Sequence, residues 1–215
     1  MKIAIFINIL LFLTMILESV FARPVSYKDS WTTMSYNDHS RNSFLVHYSP
    51  SSKYSIGYRV EYWQEKEYLL NTINLNYLAK RINKKKSQTN IYLNNGWGLI
   101  NTENKKYKNK KELVSYGGLS ADWETRRLFT SYDLNVLKSS SIDGNFMQKA
   151  RLGFAPYLVG YGKLHTWFMY ELNHIPEDNK NFTSNFILRL FKSTNLLELG
   201  LDDNENTTLN FIKRF

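Results

Sequence analysis

The sequence predicts an all-β chain, one antiparallel up-and-down transmembrane β-barrel of about twelve strands, within a range of about ten to twelve. Three observations point there. Apolar and polar residues alternate with a period of two, in run after run, from near Trp31 to Phe215. Clusters of Asn, Asp, Gly, Ser and Lys separate the runs at short intervals and read as turns. Aromatic residues are abundant, with 15 Tyr, 13 Phe and 5 Trp in 215 residues, as suits a surface that meets lipid and its interfaces.

The N-terminal segment stands apart from this pattern. Lys2 precedes the apolar run Ile3 to Leu17, and Glu18 and the small-residue pattern Val20-Phe21-Ala22 follow it. That order predicts a secretory signal peptide over 1–22, with the mature chain starting at Arg23. Fifteen helical residues span about 22 Å, short of the roughly 30 Å that a retained anchor has to cross. Residues 23–215 are then a single barrel domain. Loss of Lys2 and Glu18 removes one charge of each sign, so the net charge stays at +9. The chain has no cysteine, which excludes a disulfide framework.

Strand by strand, the alternation sorts side chains onto two faces. In "YSIGYRVEYW", Tyr54, Ile56, Tyr58, Val60 and Tyr62 oppose Ser55, Gly57, Arg59, Glu61 and Trp63. "NIYLNNGWGLI" sets Ile91, Leu93, Trp97 and Leu99 against Asn90, Tyr92, Asn94, Gly96 and Gly98. In "KARLGFA", Ala150, Leu152 and Phe154 oppose Lys149, Arg151 and Gly153. "LHTWFMYELN" places Leu164, Phe168, Tyr170 and Leu172 against His165, Glu171 and Asn173. "FTSNFILRLF" and "LLELGL" repeat the pattern, with Arg189 and Glu198 on their polar faces. The turn segments alternate in length, which predicts longer loops at one end and tight turns such as "GYGK" and "KSTN" at the other. Pro156 interrupts a strand pattern and predicts a kink or bulge.

Each apolar face has to be covered, either by lipid or, in a soluble lipocalin-like ligand-binding barrel, by turning inward. Aromatic residues near strand ends (Trp31, Tyr36, Tyr48, Tyr62, Trp123, Tyr157) fit an interfacial girdle and favour lipid. The end of the chain adds to this. In "TTLNFIKRF", Leu209, Phe211 and Phe215 share one face, with Asn210 and Arg214 on the other and Lys213 departing from the apolar pattern. An aromatic terminus after alternating apolar residues resembles the C-terminal signature of bacterial outer-membrane β-barrels. The resemblance rests on the signal peptide, the strand pattern and this last strand. It implies a Gram-negative outer membrane, contact with outer-membrane lipid and lipopolysaccharide, and recognition of Leu209, Phe211 and Phe215 by the barrel-assembly machinery. The function it implies is non-enzymatic: a narrow porin-like channel, or a structural or interaction role in the cell envelope.

The inward face is expected to hold a polar network of Arg59, Glu61, Lys80, Asp122, Glu124, Arg127, Asp133, Lys149, Arg151, Glu171, Arg189, Glu198 and Arg214. Long charged chains of both signs are expected to pair across the bore and constrict it. Arg outnumbers the acids among the longest of them, so residual conductance is expected to favour anions. A lipid-modifying barrel enzyme is the competing reading. His47 and Ser49 share a face, as a base and nucleophile would, and resemble the H-x-S element of outer-membrane lipid A deacylases, although that family carries it near the C-terminal end. His165 is a further candidate, but it faces away from His174, nine residues on, so the two cannot share a metal. No metal site and no cofactor motif is present in the sequence. Lys105, Lys106, Lys108, Lys110 and Lys111 form a basic loop suited to the phosphates of lipopolysaccharide. An exported barrel gives the positive charge no nucleic-acid partner.

Overall fold

The computed structural model describes residues 23–104, 110–142, 144–160, 162–177 and 181–215. The expected signal peptide and Lys105, Lys106 and Lys108 lie outside them. Twelve strands follow in order: β1 (Ser30–Asn37), β2 (Arg41–Ser51), β3 (Tyr54–Trp63), β4 (Tyr68–Asn83), β5 (Ser87–Thr102), β6 (Lys111–Thr125), β7 (Leu128–Ser139), β8 (Asn145–Phe154), β9 (His165–His174), β10 (Phe182–Lys192), β11 (Asn195–Asp202) and β12 (Thr207–Arg214). Each pairs antiparallel with its neighbours in sequence, and β12 pairs with β1 to close the barrel. The seam runs from Thr32 opposite Arg214 to Asn37 opposite Leu209. The terminal Phe215 extends it by exchanging backbone hydrogen bonds with Trp31, at 2.9 and 3.3 Å. Closure leaves no strand edge, so every ladder N–H and C=O can be satisfied without water.

Period-two patterning explains which side chains point out. Phe186, Leu152, Phe168, Ile73 and Trp97, from five different strands, are all more than half exposed on the outer face. Charged residues are nearly absent from the middle of that face. Trp31 packs against Tyr48 at its edge, with ring centroids 5.1 Å apart, and Tyr62, Trp123 and Tyr157 are also exposed. Tyr36 is a correction: it shares the inner face with Thr32 and Met34 and lines the interior, so it is no part of a girdle. Lys213 does point outward, with its ammonium 4.8 Å from the ring centre of Phe215.

Two irregularities shift the pattern. The β4–β5 register slips between Leu78 and Lys80, so Lys80 stands opposite Ile91 on the outer face instead of the inner one. The β2–β3 register slips between Tyr48 and Ser51, where Pro50 cannot donate to a ladder. The segment before β1, Phe215 and the tight turns share one end of the barrel. The exception there is the β8–β9 connection, residues 155–164, which was expected to be a tight turn. β8 stops at Phe154, ahead of Pro156, and Arg127 pins the connection by donating to the carbonyls of Ala155 and Pro156, both at 3.1 Å.

Candidate functional site in the lumen

The lumen is neither uniformly polar nor open from end to end. It has a charged wall, several apolar plugs, a cavity, and a strap of chain across its tight-turn end. The charged wall runs over β8 to β12, because Lys149, Arg151, Glu171, Arg189, Glu198 and Asn210 all fall on inward positions. Arg151 bonds Glu171 and reaches Glu198 at 3.2 Å. Arg189 also holds Glu198, at 2.6 Å, and the Asn210 amide donates to it at 2.8 Å. Lys149 lies 3.4 Å from Glu171, and Asn173 donates to that carboxylate at 2.9 Å. Glu171 and Glu198 are 4% and 1% exposed, so each has exchanged water for fixed donors.

Sequence reasoning expects such pairs to reach across the bore; most of these join neighbouring strands, while Arg151 of β8 reaches past β9 and β10 to Glu198 of β11. On the facing wall, Arg59 is 3.7 Å from Glu61 on its own strand, and its guanidinium lies over Tyr116, 5.6 Å from the ring centre. Gly96 makes room for that Tyr116 ring, which a Cβ would overlap. Near the loop end two contacts do cross the bore: Arg41 of β2 to the Met147 sulfur at 3.0 Å, and Lys66 to Asn145. Arg127 is a correction, since it occupies the exposed β6–β7 turn and faces the carbonyls named above. Arg214 faces inward and is buried at the tight-turn end, clear of the network.

Apolar clusters fill much of the remaining interior. Trp63, Tyr68, Leu70, Ile100, Val114, Leu137 and Ile142 pack together on the β3–β7 side. Met34, Leu45, Leu196 and Ile212 line the seam, and Trp167, Met169 and Ile187 lie near the tight-turn end of β9 and β10. Several strands are therefore apolar on both faces, as Trp167 and Met169 alternating with Phe168 and Tyr170 make plain.

The strap is formed by the residues that precede β1. Arg23 ion-pairs with Glu124 of β6. The Pro24 carbonyl accepts from Ser55 of β3 at 2.7 Å and from Asn76 of β4 at 3.4 Å. Val25, 2% exposed, packs between Leu78 of β4 and Tyr92 of β5. The Ser26 N–H donates to Ser49 Oγ at 3.0 Å, while its hydroxyl meets Thr32 at 2.6 Å and His47 Nε2 at 3.4 Å. These contacts reach every strand from β1 to β6. Above the strap a cavity of about 500 Å³ extends toward the loops, lined by Arg23 and Pro24 at its base and by Asp38, His39 and Asn204 at its mouth.

This arrangement gives the candidate catalytic residues a different part. His47 and Ser49 are completely buried and are engaged with Ser26 of the strap. They anchor the chain and present no base–nucleophile pair to a substrate. His165 faces inward and its Nδ1 accepts from Trp167 at 3.2 Å. His174 faces outward, stacked on Phe182 with ring centroids 4.2 Å apart. Of the basic loop, Lys110 and Lys111 are described and exposed, and Lys110 bonds Ser141 at 2.9 Å. Leu209, Phe211 and Phe215 are all exposed on the outer face beside the seam.

The fold is a closed, twelve-stranded antiparallel β-barrel. No protein-family model matches the sequence, and no curated protein sequence does. Among solved structures, the KdgM porin in complex with disordered oligogalacturonate superposes with a TM-score of 0.51 and 10% identity, over 86% of this chain and 98% of that one. The translocator domain of the autotransporter NalP from Neisseria meningitidis matches with a TM-score of 0.44 and 11% identity, over 86% of both chains. The likeness to the KdgM porin supports the closed-barrel fold.

Proposed function

We propose that the chain is an outer-membrane β-barrel of a Gram-negative bacterium that acts as a narrow, non-enzymatic channel, closed at rest by the 23–29 strap. The closed sheet with its apolar outer belt supports the membrane location, because such a surface finds its match in hydrocarbon. The observation that carries the channel reading is the cavity of about 500 Å³ that ends on the strap. A static plug needs no polar cavity above it, whereas a gated bore does. Eight carboxylates line this cavity (Asp38, Glu61, Glu65, Asp122, Glu124, Asp133, Glu171, Asp202) against six Lys or Arg (Arg23, Arg41, Arg59, Lys149, Arg151, Arg189). That balance replaces the anion preference expected from the sequence with a preference for cations.

The outer rim, with Lys110 and Lys111, faces lipopolysaccharide in this reading, and the barrel-assembly machinery reads the outward Leu209, Phe211 and Phe215. Outer-membrane fractionation with heat-modifiable gel mobility is the test of location. A boiling-dependent band in the outer-membrane fraction is expected, and recovery in the soluble periplasm would contradict the reading. Deleting Phe215 removes its hydrogen bonds to Trp31 as well as the aromatic signal, and should lower the yield of that folded band.

A further inference from the structure

The β4–β5 hairpin stands out from the tight-turn end of the barrel. β3 begins at Tyr54, which pairs with Tyr77 of β4. β4 and β5 stay paired for six more residues, Leu78 to Asn83, ending with Asn83 opposite Gln88. Tyr54 and Tyr77 are exposed on the outer face, at the depth of an interfacial girdle. Six residues of strand reach about 20 Å past them, or about 15 Å along the axis of a tilted barrel, whereas a headgroup layer is only about 5–7 Å deep. The tip of the hairpin stands clear of the lipid.

This reach leaves an open edge. Closure removes edges from the membrane-spanning part of the sheet, and the overhang lies beyond it. On one side β4 is held by β5. On the other, the Leu78 N–H donates to the Lys53 carbonyl at 2.6 Å, and past that point β4 has no strand partner among the described residues. The Lys84 N–H donates to the Ser87 carbonyl at 2.8 Å. Antiparallel alternation then turns the N–H and C=O of Ile82 toward β5, and those of Arg81 and Asn83 to the open side.

Charge marks the same edge. Lys80, Lys84, Lys85 and Lys86 are exposed along and beyond it, and Lys53 is exposed where it begins. None of the five forms an ion pair among the described residues. Outside the bore, this end carries one acidic side chain among those residues, Asp29. It accepts from Tyr48 at 2.9 Å and lies 3.8 Å from Lys28. At the loop end, by contrast, acids such as Glu65, Glu67, Asp203 and Glu205 mix with the lysines. Lysines on an edge keep a second copy of the same chain from pairing there, because like charges would meet. They do not repel an acidic strand.

We infer that the open edge of β4 docks an extended, acidic segment of a partner protein on the side of the membrane that the tight turns face. The segment adds to the hairpin as a further strand. Its backbone meets the free groups of Arg81 and Asn83, and its carboxylates meet Lys53, Lys80 and Lys84 to Lys86. The inference takes from the outer-membrane reading only that lipid ends short of the hairpin tip, and it does not depend on whether the bore conducts.

Fluorescence anisotropy tests this, with a labelled peptide of alternating Glu and Val titrated with the refolded full mature barrel in an uncharged detergent. The folded state is checked by heat-modifiable mobility. Saturable binding is expected, and a matched peptide of alternating Lys and Val should not bind. Asn83→Pro removes one edge-facing N–H and no charge, and it spares the β4–β5 ladder because that N–H points away from β5. It should weaken binding about tenfold, the size expected for one backbone hydrogen bond of the added strand. Replacing Lys84, Lys85 and Lys86 together with Gln should also weaken it about tenfold and flatten its salt dependence. Equal affinity in wild type and Asn83→Pro would overturn the inference and reduce the hairpin to a basic patch that any polyanion or anionic lipid could meet. Absence of binding to wild type would overturn it too, leaving the lysines as a guard against self-pairing. Either result leaves the channel reading intact, since conductance tests that separately.

Discussion

The two charged walls of the lumen are built from the same residue types and depend on different things. Over β8 to β12 the carboxylates of Glu171 and Glu198 are matched by Arg151 and Lys149 of β8 and Arg189 of β10, all of them strand residues. That wall is complete once the strands have paired. On β6, Glu124 is met by Arg23, which arrives from outside the sheet. The first arrangement stiffens a barrel, and the second can be undone without unpairing a strand. The difference teaches that a lumen rich in ion pairs is not for that reason a plugged lumen. What matters is whether the pairing partner is part of the wall.

The comparison can be broken most severely at Glu198. Glu198 is itself 1% exposed; replacing it with Ala leaves Arg189 without its carboxylate and Arg151 with Glu171 alone, and should destabilise the refolded barrel by about 3–5 kcal/mol in denaturant titration. A cost below about 1 kcal/mol would show that the network is solvated and structurally idle. Glu124→Gln is the matching change on the other wall. It removes one partly buried contact between strap and sheet, and should cost about 1–2 kcal/mol while leaving the twelve strands paired. If it unfolded the barrel as Glu198→Ala does, the two walls would not differ in kind. The smallest effect is expected at Lys213→Ala. This removes an exposed cation from above Phe215 and should cost less than about 1 kcal/mol, with no change in folded yield.

Much of this molecule was legible from alternation alone. The inner placement of Arg59, Glu61, Arg151, Glu171, Arg189, Glu198 and Arg214 follows from a period of two once the strand phase is known, and apolar runs set that phase. The residues misplaced by the same reasoning sit where the period fails. Lys80 follows a bulge that inverts the phase, and Arg127 lies in a two-residue turn where the period has no meaning. Tyr36 has the chemistry of a girdle residue, but its strand phase, shared with Thr32 and Met34, puts it inside.

The strap was not legible. "RPVSYKDS" has no alternation and reads as a polar lead-in to β1, and its fold-back depends on contacts with β2 to β6 that are far away in sequence. The one local hint is Val25, an apolar residue in that polar stretch, which finds its place between Leu78 and Tyr92. His47 and Ser49 share the inner face that their spacing predicts, and there both hold Ser26.

The account stands or falls on the strap as the closure of the bore. Planar-bilayer recording should compare the refolded mature barrel with one lacking residues 23–28, both shown to be folded by heat-modifiable mobility. The intact barrel is expected to be mostly silent, with small, brief openings. The deletion is expected to give sustained conductance that prefers cations, since it removes Arg23 and leaves five Lys or Arg against eight carboxylates among the described residues of the cavity. A large, weakly selective conductance from the intact protein, or silence from both, would contradict it.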